Sequence, residues 1–254
     1  MREKNSYSRF VQNVFGWTAL EKGEMIQLLH HCVEHNITSF ENADFQGKNH
    51  TTQKFGTALS ESGLSRDEIQ LISKYNSANK AGLMETVDQV LLHLDTDYLD
   101  LLLLDNSEKN PEIHDDIEQL FNQGKILELG ALNMKISEME DSDFIFHATQ
   151  INLPISSFQD LKNIIPEIHP SEEIVNLLYC DLNRNFSRFE AAAEMCKKYD
   201  LNEDQILLMW LLKHPSHLHL VINYSEKEKI SAATDIREKL FAPIDWEKLN
   251  LLIS

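Results

Sequence analysis

Eight short apolar runs recur along this chain, each followed by a stretch of amphipathic period, and this alternation narrows the accessible folds more than any other feature. The runs are Phe10–Val14, Ile37–Glu41, Ile69–Lys74, Tyr98–Leu104, Ile126–Ala131, Ala148–Ile151, Ile174–Cys180 and Leu218–Ile222. Several are apolar without interruption, as in LDLLLL, which suits strands buried on both faces of a parallel sheet. Between them apolar residues return at helical spacing. In Glu24–His35, Met25, Leu28, Leu29, Cys32 and Val33 share one face. Thr51–Glu61, Ala81–Leu94, Ile113–Gln123, Glu190–Tyr199, Ile206–Lys213 and Lys227–Leu240 follow the same pattern. Segment 159–173 is harder to read, because Pro154, Pro166 and Pro170 interrupt it. No Gly/Ser/Pro-rich linker divides the chain. The expectation is an α/β protein with one domain over residues 1–254, a (β/α)8 TIM barrel, for which about 250 residues is typical. A doubly wound open sheet is the alternative.

Charge narrows the partners. Acidic residues outnumber basic ones 41 to 23, a formal charge of -18, which argues against a nucleic-acid groove or an anionic membrane surface. No apolar run approaches the roughly 18 residues of a membrane span, and MREKNSYSRF lacks a signal-peptide core. Cys32, Cys180 and Cys196 show no C-x-x-C spacing and read as free thiols in a reducing compartment. A cytoplasmic protein is expected, with a small molecule or another protein as partner. His217 and His219 share a strand face near His214 but lack a further facing ligand, so no metal is expected. His30, His31 and His35 read as solvent-facing on their helix, and Trp17 as a residue of either the barrel mouth or the core.

In a β/α barrel the chemistry sits at the C-terminal ends of the strands. In order, those ends carry Glu41 and Asp44, Lys74, Asp105 and Asn106, Asn133, Gln150 and Asn152, Tyr179 and Asp181, then Asn223 and Tyr224. One lysine among carboxylates and amides makes a polar mouth. That alone defines no reaction, since every barrel ends its strands in polar loops.

The segments themselves say more. ITSFENADFQGKNHTTQKFGTAL resembles the aldo-keto reductase pattern I-T-T-F-D-T-A-D-I-Y-G…FGxAL. LISKYN is similar to that family's I-V-S-K strand end, YLDLLLLDN to Y-L-D-L-L-L-I-H, and QGKILELGALNM to S-G-K-I-R-x-x-G-V-S-N-F. TQIN resembles N-Q-V-E, and QILLMWLLKHPSHLHLVI resembles A-L-A-W-L-L-x-H-P…P-I-x-G. The matches are collinear over nearly the whole chain.

The resemblance implies hydride transfer with NADPH, with a tyrosine as proton donor. A lysine–aspartate pair lowers that tyrosine's pKa, and a histidine orients the carbonyl. Position by position, the aspartate is Glu41, the lysine is Lys74, the tyrosine is Gln46 and the histidine is Asp105. A glutamine amide donates a hydrogen bond but releases no proton at useful pH. For NADP(H), Asn133 and Gln150 match the residues that hold the nicotinamide carboxamide, and Tyr179 the aromatic that stacks on its ring. Ser225 and Lys229 remain at the phosphate end, where I-G-T-G-K-x-E-R has become I-N-Y-S-E-K-E-K and Glu226 replaces a lysine. The leading expectation is a non-catalytic or strongly diverged homologue that binds a small molecule or a partner. One alternative is an active NAD(P)H-dependent oxidoreductase using Lys74 with a protonated Asp105 or a water. The other is an acidic interaction scaffold.

Overall fold

The structure, a computed structural model, describes residues 7–42, 50–76, 82–105, 112–152, 165–180 and 190–253. Its strands are β1 (Phe10–Asn13), β2 (Ser39–Asn42), β3 (Gln70–Tyr75), β4 (Leu99–Asp105), β5 (Ile126–Leu132), β6 (Ala148–Ile151), β7 (Val175–Cys180) and β8 (His219–Ile222). They close in sequence order, with every neighbouring pair parallel and β8 joined back to β1. The fold is the (β/α)8 barrel.

The leucine-rich β4 shows why continuous apolar runs were needed. Leu101 and Leu103 pack inside the barrel with Val11, Ile72 and Val221. Leu102 and Leu104 pack outward into the shell of helices. Both faces are dry, so no polar alternation remains.

Among the described residues the helices are α1 (Lys22–Glu34), α2 (Thr51–Ser62), α3 (Leu83–Leu94), α4 (Glu112–Asn122), α5 (Ile136–Glu140), α6 (Glu190–Tyr199), α7 (Glu203–Leu212), α8 (Lys227–Asp235) and α9 (Pro243–Ile253). The amphipathic stretch expected through residue 240 stops at Asp235 and turns into a 3-10 segment, Ile236–Glu238. α5, short and acid-rich, still buries Met139. α9 docks through Trp246, whose ring stacks on Trp210 at 5.7 Å and whose indole N–H donates to the Trp210 carbonyl. Asp245 accepts from Lys198 and Tyr199 of α6 and fixes the same helix.

The structure settles one side chain the sequence left open, Trp17, and places two others, His31 and His35, differently from the sequence reading. Trp17 is fully buried with its ring edge toward Phe40 and Phe55, so it belongs to the core and not to the mouth. His31 and His35 do not simply face solvent. Both approach the Ser231 hydroxyl, at 2.9 and 3.2 Å, and tie α1 to α8. The three cysteines are free, and burial pushes the Cys32 and Cys180 thiols well above their ordinary range.

Tyr7 closes the N-terminal end of the barrel. Its hydroxyl donates to Glu128 Oε2 at 2.7 Å, while Arg66 pairs with the buried Asp100 at 2.7 Å. The opposite end is left for chemistry.

The glycine of FGTAL has a packing reason. A Cβ on Gly56 would lie 2.1 Å from the His93 carbonyl oxygen and 2.6 Å from Leu94 Cα, backbone that cannot yield. Gly56→Ala is therefore expected to destabilise the protein by about 1–3 kcal/mol through forced separation of α2 and α3. A urea unfolding midpoint equal to that of the native protein would contradict this.

Candidate active site

Strand register brings the mouth together. Asn13 lies beside Glu41 and Glu41 beside Ile72, while Lys74 lies beside Leu103. Asp105 lies beside Leu132, Leu132 beside Gln150, and Tyr179 beside Val221. Ile72, Leu103, Leu132 and Val221 all belong to the cluster that fills the barrel interior. Their strand partners therefore face inward too, one layer after another toward the C-terminal rim.

Glu41 and Lys74 form the centre. Lys74 Nζ lies 2.8 Å from Glu41 Oε1, with the two residues 4% and 0% exposed. The Asn13 amide donates to the same oxygen. Among the described residues Glu41 Oε2 meets no hydrogen-bond partner. Lys74 also faces the Tyr179 ring, 5.8 Å from its centroid. Asp105, half-buried at the end of β4, is not ion-paired with Lys74; it accepts from the Asn76 amide at 2.8 Å. Asn13 and Asn76 are members of this cluster that sequence reasoning missed. Each stands at or just past a strand end, where an asparagine reads as a turn residue. Gln46 lies outside the described residues, as do Asp44 and Asp181.

Gln150 is the most telling side chain. It is 0% exposed, and among the described residues neither Oε1 nor Nε2 has a hydrogen-bond partner. A buried primary amide with both ends unmet costs free energy unless a ligand or water completes it. Asn133 stands next to it with φ 52° in the left-handed region, its N–H donating to the Gln150 carbonyl at 2.8 Å. Asn133 Oδ1 accepts from Asn152 N at 2.7 Å, which orients the side-chain amide.

The end of β8 is arranged differently. Ser225 N–H and Oγ both donate to Glu226 Oε2, at 3.2 and 3.1 Å, and Lys229 Nζ lies 2.9 Å from Glu226 Oε1. Lys229, aided by Ser225, holds the Glu226 carboxyl below its usual range. Ser225 and Lys229 thus come together, but around a carboxylate of the chain itself. His219 is at the other end of the barrel, its Nδ1 3.0 Å from the Ser8 carbonyl. Among the described residues no three His, Cys, Asp or Glu side chains gather as a metal site.

Residues 12–175, more than half of the chain, match the Aldo/keto reductase family. The chain belongs to that family. Among curated relatives, the chain is 25% identical over 246 residues to the uncharacterized oxidoreductase YcsN of Bacillus subtilis, covering 83% of this chain and 81% of that protein. It is 26% identical over 211 residues to the NADPH-dependent alpha-keto amide reductase of Saccharomyces cerevisiae, covering 73% and 66%. The barrel superposes on a thermostable aldo-keto reductase bound to the inhibitor epalrestat with a TM-score of 0.81 at 20% identity, covering 99% and 97% of the two chains. An aldo-keto reductase of Klebsiella pneumoniae in complex with NADPH gives 0.81 at 19% identity, covering 97% and 91%. At these identities the structural likeness carries the fold. Among the described residues no helix is long and apolar enough to cross a membrane.

Proposed function

We propose that the barrel mouth binds a nicotinamide dinucleotide and has lost the proton donor of the family's carbonyl reduction. The observation that carries the first half is Gln150: a fully buried amide with an unmet donor and an unmet acceptor. A carboxamide is the complementary partner, since it offers one acceptor and one donor in the same plane. Asn133 is tied to the Gln150 carbonyl, and the Tyr179 ring faces Lys74 in the same mouth. A bound reduced nicotinamide would supply a hydride. Glu41 fixes Lys74, whose ammonium would favour an alkoxide developing on a carbonyl oxygen held beside it. Loss of the donor rests on the sequence, because Gln46 has no transferable proton. Asp105 matches the position that orients a carbonyl in the family, and an ionised carboxylate there would set negative charge where negative charge develops.

Saturable quenching of tryptophan fluorescence on titration with NADH or NADPH would support the binding half. No saturation by millimolar concentrations of either would overturn it. Gln150→Leu separates binding from folding. It is expected to weaken dinucleotide affinity about tenfold, the value of roughly one hydrogen-bonded pair. It should also raise stability by about 1–3 kcal/mol, because the buried unmet amide is removed. Weakened binding together with lowered stability would assign Gln150 to the fold instead.

A further inference from the structure

We propose that Glu226 sets which dinucleotide this barrel takes, disfavouring the 2′-phosphate of NADP(H) and favouring NAD(H). The inference rests on the reading of the mouth as a nicotinamide site. In barrels of this kind, phosphate is commonly received by the loops after the seventh and eighth strands and a nearby helix N-terminus. Here that place follows β8, where Ser225 leads into α8. The donors a phosphate would need are already turned onto the chain's own carboxylate. Ser225 contributes its N–H and hydroxyl to one oxygen of Glu226, and Lys229 contributes its ammonium to the other.

Beside this turn lies a pocket of about 130 Å³ that shares Lys229 and is walled by Tyr224, Ala232, Ala233 and Asp204. Asp204 brings a second carboxylate to the pocket. Counting the turn and the pocket together, Asp204, Glu226 and Glu228 stand against Lys227 and Lys229, so the balance is negative before any ligand arrives. A 2′-phosphate would have to displace Glu226 from Lys229 and Ser225 and then remain next to it, two anions sharing one paired lysine. A ribose 2′-hydroxyl has no such conflict. It donates to the carboxylate as it stands, the role an acidic residue plays at the ribose in other dinucleotide sites. Glu226 is exposed, so solvent screens the repulsion and the result is a preference, not a complete block.

The test is a pair of equilibrium titrations of the intact protein, NADH and NADPH, read by nicotinamide fluorescence. NADH is expected to bind at least about tenfold more tightly. Glu226→Lys is expected to reverse the order, tightening NADPH about tenfold or more while leaving NADH within about threefold, and Glu226→Gln to fall between. Circular dichroism of both variants should match the native protein, since the altered side chain is on the surface. NADPH binding as tightly as NADH in the native protein would overturn the inference and leave the nicotinamide reading intact. A preference for NADH that neither variant moves would overturn the role of Glu226. If neither dinucleotide binds, the nicotinamide reading fails and this inference fails with it.

Discussion

Lys74→Met is expected to destabilise the protein by about 3–5 kcal/mol, because it strands a buried carboxylate. Glu41 has no exposed surface, and Lys74 is its counter-ion at 2.8 Å. Without the ammonium, the Asn13 amide is the only donor left to Glu41 among the described residues. Methionine fills a similar volume, so little of the loss comes from packing. The pair itself need not be worth that much, since burying two charges offsets much of their attraction. The double variant Lys74→Met with Glu41→Leu tests this directly. It removes both charges and is expected to recover most of the loss, which a double-mutant cycle of urea unfolding would measure. Equal destabilisation in the single and double variants would show that the mouth is held by packing and that its charges are incidental.

Gln46→Tyr combined with Asp105→His is expected to raise the rate of aldehyde reduction with bound reduced nicotinamide by about 10²–10⁴, the usual contribution of a positioned general acid. Lys74 would activate the new tyrosine. Its ammonium is fixed by Glu41 and faces the mouth, where it would favour the phenolate form of a tyrosine and so lower its pKa. Replacing Asp105 removes a carboxylate from the region of the developing alkoxide and supplies an imidazole that can donate to it. The single variant Gln46→Tyr should gain less, because the carboxylate stays. Dinucleotide affinity should change little in either, which separates restored chemistry from restored binding. An unchanged rate in a double variant that binds dinucleotide normally would contradict the view that the missing acid limits this protein.

The barrel was legible because its strands are buried on both faces. A run such as LDLLLL admits few other environments, and the β6 limits 148–151 agree with the sequence to the residue. The helices were less uniform. α9 begins at Pro243, a residue that ends helices from within yet suits a first turn, and its packing depends on Trp210 far away in sequence. The site divides in the same way. Glu41, Lys74, Asp105 and Gln150 could be placed from strand ends alone, since register follows from alternation. Asn13 and Asn76 could not, because their role depends on a neighbouring strand. Glu226 was visible as an acid near a phosphate position. That its two oxygens already take the donors of Ser225 and Lys229 is a fact of three-dimensional arrangement.

The most direct test of the account is a single-turnover experiment on the native protein. NADH is bound first, an aldehyde is added in excess, and the decay of reduced-nicotinamide absorbance is followed. The predicted result is saturable binding with decay no faster than in a protein-free control. A rapid burst of NADH oxidation matching the bound protein would contradict it, and would show that this mouth has found another source for the proton.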